Sequence, residues 1–250
     1  MLLLLHYDGG AFAGWQRQKA DRTVQAEVEA ALERLTGSRV PVMGAGRTDA
    51  GVHAVGQAAA APVSEQWQPE ALVRALNAVL PPDVWVCAAN RMRPGFNPRR
   101  DATERTYCYR LGLDAGARSP FRRRYEWSLQ PPLDGVRLAE AAALLRGTHG
   151  FRALSATGQE KEHYRCTVHE ALWQEREDGV GLEFWITADR FLHHMVRFLV
   201  GMMVDVARHR RPLADLAELL DGDDNQRAAP PAPAHGLFLV NVRYPRECYA

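Results

Sequence analysis

One stretch constrains this chain more than any other: Gly44-Ala45-Gly46-Arg47-Thr48-Asp49-Ala50-Gly51-Val52-His53-Ala54. It carries a carboxylate, a guanidinium and almost no bulk, between a β-branched run at 40–43 and a small-residue apolar run at 55–61. Its three glycines permit backbone conformations that other residues find costly, so it can bend sharply and let a large ligand lie close. A phosphate-binding loop of the Walker type needs a terminal Gly-Lys-Ser/Thr, and no lysine is here. A dinucleotide fingerprint would need Gly or Ala where Asp49 stands, and a negative charge there repels pyrophosphate. What remains is either a glycine-rich hairpin with a surface Asp-Arg pair or a carboxylate presented on a tight loop as nucleophile or general base.

Periodicity places this loop in a regular order of elements. Residues 1–7 read as a buried strand, followed by a glycine-containing loop at 9–19. Thr23 is the expected N-cap of a helix over 24–35 that ends at Gly37. A short strand at 40–43 enters the Asp49 loop and a small-residue strand at 55–61 leaves it. A helix over 69–79, closed by Pro81-Pro82, and a strand at 84–89 complete a β-α-β-β-α-β unit, the ferredoxin-like arrangement. The second half repeats it with one insertion. A strand at 105–113 alternates as a half-buried strand should. A basic loop and an extra strand at 125–129 follow, then a helix over 138–145. A hairpin of 164–173 and 180–188 turns at Asp178-Gly179, helices run over 191–208 and 213–220, a polar linker covers 221–233, and a last strand spans 237–244. The predicted fold is α+β, two ferredoxin-like halves at 1–104 and 105–250.

Composition matters mainly through distribution. The 250 residues are 46% hydrophobic and 24% charged, ordinary for a globular chain. No apolar run approaches the length of a membrane span, and Met1 to Leu5 is too short for a signal core and lacks a basic lead. Four cysteines without CxxC or His-linked metal spacing read as free thiols in a reducing cytoplasm. Net charge is +1, yet residues 91–124 hold ten arginines against three acids, +7 for that segment and −6 for the rest. Phe96, Tyr107, Tyr109 and Phe121 interleave with those arginines, a combination that suits RNA as well as a solvated face.

Arg197 lies in the nearly all-apolar run 191–204, which predicts a buried helix. A buried guanidinium needs a partner: an acid elsewhere, a route to water, or Asp49, which it would keep ionised. His193 and His194, if helical, point about 100° apart and chelate one ion badly, so no metal is expected.

Four motifs together resemble the tRNA pseudouridine synthase A (TruA type) family. They are Tyr7-Asp8-Gly9 with Phe12 and Gly14-Trp15-Gln16-Arg17-Gln18, then Gly46-Arg47-Thr48-Asp49-Ala50-Gly51-Val52-His53. Phe191-Leu192-His193-His194-Met195-Val196-Arg197 and Gly236-Leu237-Phe238-Leu239-Val240 follow in the family's order. The resemblance implies sheets meeting around a central catalytic cleft and isomerisation of uridine to pseudouridine in the anticodon stem-loop of tRNA (positions 38–40), without metal, nucleotide or redox cofactor. It implies Asp49 as nucleophile, attacking either ribose or uracil, with Arg197 as its basic partner from the second half. It implies Tyr107 stacked on the target base, Leu237 and Leu239 as apolar wall, Arg47 on RNA backbone, and Gln16 and Arg17 in substrate binding. The chain departs from the family at Asn97-Pro98, where His-Ala is common. A cytoplasmic homodimer with tRNA as partner, and no membrane, is the corresponding expectation. The rivals are a non-catalytic RNA-binding module and a glycoside hydrolase, which would want two carboxylates where this loop offers one.

Overall fold

The computed structural model describes residues 1–129, 132–156 and 163–250. The described chain is mixed α+β with mostly antiparallel strands, and it divides into two compact units, Met1–Glu104 with Phe238–Ala250, and Arg105–Leu237. In chain order the first part runs β1 (Leu2–Tyr7), α1 (Val24–Thr36), β2 (Met43–Gly44), β3 (His53–Ala60), α2 (Pro69–Val79) and β4 (Val84–Asn90). It continues with β5 (Glu104–Gly112), β6 (Trp127–Ser128), α3 (Gly135–Leu144), β7 (Gly147–His149), β8 (Cys166–Glu175) and β9 (Gly181–Ala188). It closes with α4 (Met195–Ala207), α5 (Leu213–Leu220) and β10 (Leu237–Arg243).

In the first unit, β1 lies between β4 and β3, antiparallel to both. The outer edge of β3 is shared by two short pairings. β2 runs antiparallel at Ala60 and Ala59, and β10 runs parallel at His53 and Ala54. The last strand, expected with 105–250, thus counts with the first unit. The reason is local: β2 is only two residues long and leaves the start of β3 unpaired, and β10 fills that gap. The small-residue run in β3 makes this possible, because a Cβ on Gly56 would stand 1.8 Å from the Val240 carbonyl oxygen. Helix α1 closes on Gly37, whose φ of 71° only glycine adopts cheaply, and α2 starts on Pro69. Thr23 occupies the N-cap position of α1 but makes no capping bond with its side chain. Leu2, Leu3, Leu5, Val28, Leu32, Leu72, Leu76 and Val86 form the core of this unit.

The second unit pairs β5-β9-β8-β7 antiparallel, with β6 parallel to β5. Helices α3, α4 and α5 pack on one another, and α3 also packs on β8. Tyr109, Phe184, Ile186, Leu138, Leu199, Met202 and Met203 are its buried centre. The expected turn at Asp178-Gly179 forms, with Gly179 at φ 69°. Strand β7 had no counterpart in the periodicity. The extra strand shrinks from 125–129 to two residues. The long helix starts at Met195, four residues later than expected, because His194 adopts φ 60° and the His193 carbonyl accepts from Ala156 N at 2.9 Å instead of continuing a helix. Among the described residues no helix is long and apolar enough to cross a membrane. All four cysteines are free thiols, and burial pushes the Cys108 thiol up to about 12.

Candidate active site

The loop bearing Asp49 is held residue by residue. Ala45 N donates to Ala58 O at 2.8 Å, and the Gln57 amide donates to Gly46 O at 2.9 Å. The Thr48 and Tyr7 hydroxyls share a 2.7 Å hydrogen bond. Thr48 O accepts from Trp15 N at 3.0 Å, Asp49 O from Val52 N at 3.1 Å, and Gly51 N donates to Phe12 O at 3.3 Å. Tyr7 is fully buried, and that burial pushes its phenol up to about 12 although its bonds to Thr48 and Gln57 act the other way. It is a neutral anchor under the loop.

The first motif works here by close packing. Gly14 sits at φ 98°, and a Cβ there would come within 2.6 Å of the Thr48 carbonyl oxygen and 3.1 Å of the Asp49 carbonyl carbon. Gly44 lies against the Trp15 indole, and Trp15 is itself buried. His53, where the loop enters β3, accepts from Gly9 N on Nδ1 at 3.0 Å and stacks on Phe238 at 4.8 Å. Clamped on both flanks, the loop presents Asp49 partly exposed and Arg47 exposed, while a Cβ at Gly46 would meet nothing within 4 Å.

Gln16 and Arg17 are tied to α1. Gln16 Nε2 donates to Gln25 Oε1 at 2.8 Å, and Arg17 pairs with Glu29 at 2.7 Å while remaining 46% exposed. Gln25 also donates to Glu29 and to Val42 O, and Glu29 accepts from Val42 N. The sequence reading did not pick out this Gln25–Glu29 hydrogen-bond hub. Its signal was an acid and an amide one helical turn apart on a helix that follows the first motif. Leu239 is fully buried, in register with Ala54 just beyond the loop.

Tyr107, Arg197 and Leu237 fall in the second unit. Tyr107 is 8% exposed, faces Ile186 across the β5–β9 ladder and meets Phe191 edge-on at 4.9 Å. Leu237 is buried. Arg197 is only partly buried, against the expectation of full burial: it stands in the first turn of α4, which begins at Met195, and its Nε donates to Ala232 O at 2.7 Å. His193 and His194 precede that helix, so the 100° argument does not apply to them. Their rings lie 4.0 Å apart.

The arginine-rich segment is less open than its charge implied. Arg110 pairs with Glu183, Arg93 with Asp101, Arg105 donates to Asp189 O, and Arg91 donates to the carbonyls of Glu65 and Trp67. Arg122 grips Asp114 with two hydrogen bonds and reaches Glu126, which is 2% exposed and also paired with Arg176. Arg118, Arg123 and Arg124 are exposed beside Phe121, itself 88% exposed. Asn97, at the departure from the family pattern, accepts from Arg99 N and Arg100 N at 3.0 Å and so builds its own turn.

The family model described as tRNA pseudouridine synthase matches residues 4–94 and 141–245. A tRNA pseudouridine synthase A of Moorella thermoacetica is 40% identical over 244 residues, covering 97% of this chain and 98% of its own. One of Myxococcus xanthus is 40% identical over 242 residues, with 97% and 91% covered. One of Syntrophomonas wolfei is 38% identical over 250 residues, with 98% and 97% covered.

Proposed function

The chain belongs to the tRNA pseudouridine synthase family, and from that premise we propose that Asp49 is its nucleophile and the anticodon arm its target. The protein is an isomerase that converts uridine in tRNA to pseudouridine. Its reaction breaks the N1–C1′ bond, rotates the base and forms a C5–C1′ bond. The proton leaves C5 and N1 regains one, so atoms and electrons balance without oxidant or co-reactant. Asp49 bonds transiently to the substrate and is released at the end.

The observation that carries this reading is the clamp on the Asp49 loop: the loop's carboxylate is held from both sides through its backbone and partly exposed, beside an open glycine. Orientation of this kind replaces the entropy that a free carboxylate would lose in attack. Arg197 is the reaction's basic residue from the second unit. Tyr107 stacks on the extruded base, since a base must leave its stack to react, and Leu237 with Leu239 walls the pocket. Arg47, Gln16 and Arg17 hold RNA. Each unit is a ferredoxin-like half, and the protein works as a cytoplasmic homodimer that needs no cofactor.

The test uses unmodified tRNA transcripts, mapping pseudouridine by chemical modification and primer-extension stops for the wild type and Asp49→Ala. Stops at positions 38–40 with wild type alone are expected. Stops elsewhere would discard the target, and unchanged stops with Asp49→Ala would discard the nucleophile. Tight RNA binding by both proteins with no stops would favour a non-catalytic module.

A further inference from the structure

We infer that the proline-rich segment 229–236 is a positioning strap for Arg197, anchored by Gly201 and Tyr109; this rests on the catalytic reading of Arg197 above. All of these residues lie in the second unit.

Between Ala229 and Pro233 the sequence is Ala-Pro-Pro-Ala-Pro, so only Ala229 and Ala232 carry a backbone N–H. Both are used on α4. Ala229 N donates to the Met202 sulfur at 3.0 Å and Ala232 N to Arg197 O at 2.9 Å. In return Ala232 O accepts from Arg197 Nε at 2.7 Å. Backbone and side chain of one arginine are therefore gripped by one alanine. A guanidinium is planar, so fixing Nε fixes the plane in which both terminal nitrogens lie.

Two contacts hold the strap at that distance. Gly201, one turn beyond Arg197, lies under Pro230, and a Cβ there would stand 2.3 Å from the Pro230 carbonyl oxygen. At the other end the Tyr109 hydroxyl donates to Pro233 O at 2.8 Å, and a Cβ on Gly236 would enter the Tyr109 ring at 2.7 Å. Burial raises the Tyr109 phenol well above its ordinary value, while the charge of nearby Arg197 works against that rise. The phenol is therefore a neutral donor. The prolines stiffen the segment, so displacement at either anchor is transmitted to Ala232 rather than absorbed.

The reaction would feel a loosened strap as misorientation, not as loss of charge. Tyr109→Phe and Gly201→Ala should lower single-turnover kcat by about tenfold, the scale of a small misplacement of a catalytic group, with KM for tRNA unchanged. A second readout does not depend on turnover. The Arg197 Nε–H, identified in a nitrogen-15 spectrum by its loss in Arg197→Lys, should exchange slowly in the wild type and quickly in both variants. In an Arg197→Lys background, Tyr109→Phe should cost nothing further, as expected when two residues act through one interaction. A protected Nε–H in Tyr109→Phe, or an equal loss of rate from Tyr109→Phe in both backgrounds, would overturn the strap. Wild-type rates in both Arg197→Lys and Arg197→Met would instead overturn the reading of Arg197, leaving the strap's grip to the exchange measurement alone.

Discussion

Removing a single oxygen under the Asp49 loop tests whether the clamp matters. Tyr7→Phe deletes the hydroxyl that bonds Thr48 at 2.7 Å and accepts from Gln57 at 3.4 Å. Gln57 keeps its 2.9 Å bond to Gly46 O, so the principal loss is one short bond to a threonine that is itself buried. Leaving a buried hydroxyl unpaired costs about 1–3 kcal/mol, which in a chain of this size lowers Tm by about 2–12 °C. The catalytic effect should exceed what stability explains. Thr48 is bonded directly to Asp49 in the chain, and a shift of the order of 1 Å in a reacting group costs about a hundredfold. The expected result is a kcat lower by about tenfold to a hundredfold, with RNA affinity retained. Pseudouridine formation on transcripts, well below the variant's Tm, measures it alongside thermal unfolding. A Tm lowered as expected with kcat unchanged would show that the hydroxyl stabilises the unit without positioning Asp49. No change in either would refute the clamp.

Three further outcomes follow from named contacts. Arg123→Ser with Arg124→Ser should weaken RNA binding and flatten its salt dependence, whereas Arg122→Ser should chiefly lower Tm, because Arg122 is committed to Asp114 and Glu126; equal salt slopes in all variants would remove this face from RNA binding. Gly56→Ala should displace β10, since the new Cβ has no space beside Val240 O, and would be seen as lost stability and activity together; a wild-type Tm would contradict the parallel pairing. The Tyr7 phenol ionises near 10 when unfolded and near 12 when folded. The native state therefore holds a proton that the unfolded state has lost, so stability is intact below pH 10 and falls between 10 and 12. Tyr7→Phe should lose less stability across that window than the wild type does, and parallel pH profiles would count against the buried phenol.

Much of the local structure was legible without coordinates. The apolar spacing of α1 and its Gly37 stop, the Pro69 start of α2, the alternation of β5 and the Asp178-Gly179 turn all lie within a few residues of their own causes. The Asp49 loop stood out for the same reason, since its glycines and its one carboxylate are adjacent in the chain. Arg122 was misread as part of an open basic face because net charge in a segment does not say which arginines are committed to an acid, as Arg122 is to Asp114 and Glu126. The start of α4 was misplaced because the apolar run 191–204 reads as one helix, whereas His194 turns at φ 60° and the His193 carbonyl accepts from the distant Ala156 N.

What the amino-acid order determined alone was most of the elements, the chemistry-bearing loop and the family, because periodicity, turn residues and motifs act within short windows of chain. The tertiary structure decided which strand closes β3, which arginines remain exposed, how Tyr7 and Gln57 grip the Asp49 loop, and how Ala232 orients Arg197. Those contacts join residues separated by 11 to more than a hundred positions, and no local preference encodes a partner that only folding brings within reach.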